Sequence, residues 1–151
     1  MEQIWSQDDW VFMRLALGLA KGQVGKTATN PAVGCVIVKA GKIIGQGATG
    51  DGGRPHGEAV ALCEAGELAK GATAYVTLEP CAHKSERGPD CSNALIKAGI
   101  ARLVCSLKDP DPRTSGQGFR RLMDAGIVVD VGLMAQEAYI ISADFQARFQ
   151  A

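Results

Sequence analysis

The chain has 151 residues, 46% of them hydrophobic and 21% charged, which suits one globular domain and excludes a disordered or low-complexity chain. Sixteen Lys and Arg balance sixteen Asp and Glu, so a nucleic-acid backbone, which selects for a basic surplus, is not the expected partner. The N-terminal MEQIWSQDDW carries acids where a signal peptide carries bases, and no apolar run reaches membrane-spanning length. Five dispersed cysteines, an odd number, fit a reduced cytoplasmic setting in which paired cysteines bind metal.

Asp8 or Asp9 is placed to cap a first helix, whose apolar positions Val11, Leu15, Leu19 and Phe12, Ala16 recur at helical spacing until Gly22 or Gly25. After Asn30-Pro31, the apolar run 32–38 reads as a buried strand, residues 39–42 as a turn, and 42–49 as a second strand returning beside the first. Residues 50–55 read as a loop, and a helix begins near His56 and runs through EAVALCEAGELA. Strands are predicted at 72–78, 101–107 and 127–131, with a polar irregular stretch at 79–89, a short helix at 91–99, a loop at 109–118 followed by a helix to Gly126, and a last helix from about Met134. Strands separated by helices pair in parallel, and the first two form an antiparallel hairpin. The expected class is α/β: a three-layer α/β/α domain over residues 1–151, with a mixed five-stranded sheet and helices on both faces.

Two segments concentrate the chemistry, PHGEAV at 55–60 and EPCAHKSERGPDC at 79–91; both histidines of the chain, His56 and His83, lie in them. A catalytic zinc takes three protein ligands and keeps one position for water, and His56, Cys81 and Cys91 supply one imidazole and two thiolates. Zinc lowers the pKa of water toward neutrality. Glu58, two residues after His56, can reach that water without binding the metal and can act as the proton shuttle. His56 and Cys91 fall at predicted helix starts, where the dipole favours anionic groups. His-x-Glu followed by Pro-Cys and a second Cys is similar to the zinc-deaminase pattern, except that nine residues separate Cys81 from Cys91 where that pattern has two. The rival reading is a closed structural zinc site of His56, Cys81, His83 and Cys91, which has no use for Glu58. Cys35, Cys63 and Cys105 read as buried thiols. GQVGKT (22–27) and GQGFRR (116–121) are glycine-bearing helix ends: neither follows a strand as a phosphate-binding loop must, and the first would need a Gly at Ala20.

At these residues the sequence resembles the deaminase domain of the bifunctional riboflavin-biosynthesis deaminase–reductase, of the cytidine deaminase-like superfamily. The likeness rests on NPAVGCVIV (30–38), GGRPHGEAVAL (52–62), GATAYVTLEPCAH (71–83), ALIKAGIARLV (94–104) and DPDPRTSGQG (109–118), from about Met13 to the C-terminus. It implies hydrolytic deamination of 2,5-diamino-6-ribosylamino-4(3H)-pyrimidinone 5′-phosphate to 5-amino-6-ribosylaminouracil 5′-phosphate. It matches His56, Cys81 and Cys91 to the Zn2+ ligands and Glu58 to the catalytic proton shuttle. Asn30, His83 and Arg87 match substrate-binding positions, Arg87 being the basic residue of the loop between the cysteines. The implied partner is that small pyrimidine ribosylamine phosphate, with no nucleic acid or membrane, in a homo-oligomer. The sequence departs from the family at Gly57, commonly Ala, which is expected to add slack at the helix start, and at Thr49, commonly His. The inter-cysteine loop is one residue longer than usual, and no reductase domain is expected within the 151 residues. The alternatives are another deaminase of the same fold, acting on cytosine, guanine or tRNA adenosine, or a non-catalytic zinc module.

Overall fold

The computed structural model describes residues 5–82 and 90–150. The first helix, α1 (Gln7–Lys21), starts at Ser6 rather than at an aspartate: the Ser6 hydroxyl accepts from the Asp9 N–H, and the Asp9 carboxylate accepts from the Ser6 N–H. Asp9 therefore closes a capping box from inside the helix. Phe12, Met13, Ala16, Leu17 and Ala20 form the buried stripe, whereas Val11 and Leu15 are exposed. Two apolar stripes satisfy helical spacing, and burial selects the one that faces the sheet.

Strands β1 (Gly34–Lys39) and β2 (Lys42–Ala48) form the expected antiparallel hairpin. They are followed by one helical turn at Asp51–Gly53 inside the expected loop, then α2 (Gly57–Ala65), which ends in a tighter turn at Gly66–Ala69. Then come β3 (Thr73–Val76), α3 (Cys91–Ala98), β4 (Arg102–Cys105), α4 (Gln117–Asp124) and β5 (Val128–Val131). The last helix is two pieces, α5 (Ala135–Ile141) and α6 (Ala143–Ala147). Ser142 divides them; its hydroxyl donates back to the Ala138 carbonyl at 2.8 Å, competing with the backbone ladder.

The sheet order is β2-β1-β3-β4-β5, with β1 antiparallel to both neighbours and β3, β4 and β5 parallel. Successive strand residues face opposite sides. Cys35, Ile37, Ala74, Val76, Leu103 and Cys105 therefore enter one core with α2, α3 and α4, while Val36, Val38, Tyr75 and Val104 enter a second with α1 and α5. The expected three-layer α/β/α architecture is the one observed. Cys35 and Cys105 are buried as expected, but Cys63 is exposed on the outer side of α2. No helix among the described residues is long and apolar enough to cross a membrane.

Candidate metal centre and its cleft

Glycines bring the site together. Gly45 and Gly47 share one face of β2, and a Cβ on Gly45 would stand 2.2 Å from the Ala61 carbonyl oxygen. Helix α2 thus lies on the sheet at a distance only glycine permits. Its N-terminus is equally tight: a Cβ on Gly57 would stand 2.6 Å from the Val33 carbonyl oxygen, so Gly57 is a close contact and adds no slack. His56 is the N-cap of α2, and Glu58, 4% exposed, lies in its first turn. From the sheet's other half, β3 runs out toward Cys81, and α3 opens with Cys91 behind its own N-cap, Asp90. The Asp90 carboxylate accepts from the Asn93 N–H and the Ser92 hydroxyl, and Arg121 of α4 donates to it at 3.2 Å, which fixes the helix start that carries Cys91.

The donor atoms of His56, Cys81 and Cys91 lie within 4.8 Å of one another. His56 Nδ1 is 3.3 Å from Cys91 Sγ and 3.8 Å from Cys81 Sγ, and the Cys91 N–H donates to Cys81 Sγ at 3.2 Å. One face of a tetrahedron with bonds of about 2.0–2.3 Å has edges of about 3.3–3.8 Å, so this donor set fits a metal ion with an N/S preference.

The close approach of these groups couples their protonation. The hydrogen bond from Cys91, with further help from His56 and the Cys91 N–H, lowers the Cys81 pKa to about 4 against the cost of burial. The same hydrogen bond, with burial, pushes the Cys91 thiol up. The His56 imidazole is raised, first by its hydrogen bond to Cys81, with burial opposing. Burial raises Glu58 to about 7, with the nearby His56 pulling the other way. A carboxyl held near neutrality can both take and return a proton.

A cleft opens over these groups. His56, Glu58 and Cys81 line it together with Asn30, Thr49, Arg54, Glu79, Asp109, Asp111 and Arg113. Asn30 lies in this lining, and its side-chain amide donates to the Gly53 carbonyl at 3.0 Å. Thr49, 1% exposed, accepts from the Val33 N–H at 2.9 Å and donates to the Pro31 carbonyl, so it pins the start of β1. His83 and Arg87 lie outside the described residues. Sequence reasoning missed Glu79, Asp109 and Asp111. Asp109 is buried, and burial raises its pKa to about 6; Asp111 takes a bidentate grip on Arg113. From the sequence, 109–118 reads as a loop, and only the fold shows that it forms a wall of the cleft.

The cytidine and deoxycytidylate deaminase zinc-binding region matches residues 6–107, so the sheet, the His/Cys/Cys donor set and the buried glutamate beside it belong to the cytidine-deaminase class of domains. The chain is 52% identical over 134 residues to the riboflavin biosynthesis protein RibD of Aquifex aeolicus, covering 89% of this chain but only 37% of that protein. It is 46% identical over 143 residues to the diaminohydroxyphosphoribosylamino-pyrimidine deaminase of Buchnera aphidicola, covering 95% of this chain and 97% of the relative. The solved structure of Acinetobacter baumannii RibD superposes with a TM-score of 0.91 at 44% identity, over 95% of this chain and 40% of that one. The chain belongs to the diaminohydroxyphosphoribosylaminopyrimidine deaminase family.

Proposed function

We propose that this chain deaminates 2,5-diamino-6-ribosylamino-4(3H)-pyrimidinone 5′-phosphate to 5-amino-6-ribosylaminouracil 5′-phosphate, a step of riboflavin biosynthesis, with zinc held by His56, Cys81 and Cys91. The observation that carries the reading is a buried glutamate beside a three-donor N/S set, with Glu58, His56 and Cys81 lining one cleft. The relative covered almost from end to end, named for this deamination, supplies the substrate. His56, Cys81 and Cys91 would hold the zinc, which would supply a water of lowered pKa.

The chain's own groups do the rest. Glu58 takes one proton from the attacking water and passes it to the ring nitrogen, then takes the second from the new hydroxyl and passes it to the departing amine, so one water is consumed and one ammonia released. Burial makes the Glu58 carboxylate a better base than one in water, which suits it to taking a proton. Asn30, a residue of the cleft wall, would contact the pyrimidine. A closed structural site would not place a buried glutamate beside its ligands at the base of a cleft, so the non-catalytic reading is not favoured.

The test is a substrate panel read by ammonia release. The pyrimidine ribosylamine phosphate is expected to be turned over, with cytidine, deoxycytidylate and guanine at least about a hundredfold poorer in kcat/KM. Comparable turnover of any of the three would reassign the substrate.

A further inference from the structure

Glu79 lies two residues before Cys81 and is 2% exposed. Three backbone N–H groups donate to its carboxylate: those of Asp109 and Gly116 to Oε1 at 3.1 and 3.0 Å, and that of Phe119 to Oε2 at 3.1 Å. Its own N–H donates to the Leu107 carbonyl at 2.9 Å. A buried carboxylate persists only where donors replace the lost water, and here every one of these donors belongs to a single stretch, 109–119. Part of that stretch is the start of α4, whose N-cap, Gly116, has no side chain to satisfy the first-turn N–H groups. Glu79 caps this helix from another part of the chain.

The junction is closed from its other side as well. A Cβ on Gly118 would stand 2.1 Å from the Pro80 carbonyl oxygen, so α4 lies directly against the residue that precedes Cys81. The segment that Glu79 grips carries Asp109, Asp111 and Arg113, which form one wall of the cleft, while Glu79's own segment carries Cys81.

We propose that Glu79 is a positioning residue for the deamination: its carboxylate locks the Pro80–Cys81 corner to the 109–119 segment, so that the metal-ligand end of the cleft and its Asp109–Asp111 wall keep one register. The proposal rests on the deaminase reading above. A reacting group displaced by about 1 Å costs about a hundredfold in rate, and groups that orient metal ligands from behind are worth about 10–100-fold in metal affinity or activity.

The test uses the zinc-loaded full chain and compares Glu79→Gln with Asp9→Asn. The second removes a buried, hydrogen-bonded carboxylate on the opposite face of the sheet and serves as a control for stability alone. Each variant is assayed well below its own Tm, for kcat and KM on the pyrimidine phosphate and for the rate at which a chelator strips zinc. Glu79→Gln is expected to lose about 10–100-fold in kcat/KM, with KM raised, and to release zinc faster by a similar factor. Asp9→Asn should stay within about threefold of the parent in both. Glu79→Asp keeps the charge but is too short for all three donors and should fall between; it carries the comparison if the Gln variant does not fold. Glu79 and Asp9 variants that match in both readouts would overturn the proposal. A parent that releases no ammonia from this substrate would overturn the functional reading instead, and zinc release would still decide the role of Glu79.

Discussion

Glu58 shows how one residue's surroundings set its chemistry. In water its carboxyl would be ionised at neutral pH; buried at the start of α2, its pKa rises to about 7. Glu58→Gln preserves shape and neutral hydrogen bonding but cannot cycle a proton. The variant is expected to hold zinc and melt near the parent while losing at least about 10²–10⁴-fold in kcat; activity within about fivefold of the parent, judged against that range, would remove Glu58 from the shuttle role. The ligand set is tested separately: Cys91→Ser should lose most of its metal, as read by metal analysis, because two strong donors make an incomplete site. His56, Cys81 and Cys91 were legible in the sequence because metal binding demands uncommon residue types, of which the chain has only two histidines and five cysteines, and Glu58 was legible from its place two residues after His56. Glu79, Asp109 and Asp111 were not. Carboxylates are common in polar loops, and nothing local distinguishes one that turns inward to bond the backbone thirty to forty residues away.

At the scale of elements, the site depends on how closely α2 approaches β2. Gly45→Ala places a methyl against a backbone oxygen, Ala61 O, that no rotamer change can move. The expected cost is about 1–3 kcal/mol from overpacking, seen as a lowered Tm, together with weaker zinc retention because α2 carries His56. An unchanged Tm and zinc content would show that the helix can slide without penalty. The strands and helices themselves follow the hydrophobic periods of the sequence, and so does the split between the antiparallel hairpin and the parallel half. What periodicity does not decide is which of two stripes on α1 is buried, or where a hydroxyl such as that of Ser142 interrupts a helix. Those are settled by packing against residues remote in the chain.

On the scale of the whole molecule, a half-buried ion-pair network ties the layer opposite the site to the sheet. Asp9 of α1 accepts from Arg102 of β4 through two guanidinium nitrogens at 3.0 and 3.2 Å and from the Tyr75 hydroxyl of β3 at 2.8 Å, while Arg102 also reaches Asp130 of β5. Burial works against the Asp9 charge, but the hydrogen bonds from Arg102, Tyr75 and Ser6 outweigh it and hold the pKa below its ordinary 3.8. A carboxylate depressed in the folded state contributes stability that is complete above its unfolded pKa and is lost as the pH falls through the folded one. Asp9→Asn should cost about 1.5–3 kcal/mol at pH 7. The lower end of that range is favoured because the Arg102 side chain is 30% exposed. The Tm gap between parent and variant should hold on acidification to about pH 5 and close below it; a gap that widens in acid would contradict the assignment of charge.

The central claim joins the metal set, the glutamate and the substrate, and one measurement addresses all three: ammonia release from 2,5-diamino-6-ribosylamino-4(3H)-pyrimidinone 5′-phosphate by the parent chain and by zinc-loaded Glu58→Gln, before chelation, after it, and after zinc is restored. The account predicts turnover by the parent that chelation abolishes and zinc restores, and negligible turnover by the Glu58→Gln chain at full zinc content. Turnover that survives complete removal of the metal, or a Glu58→Gln chain as active as the parent, would contradict it.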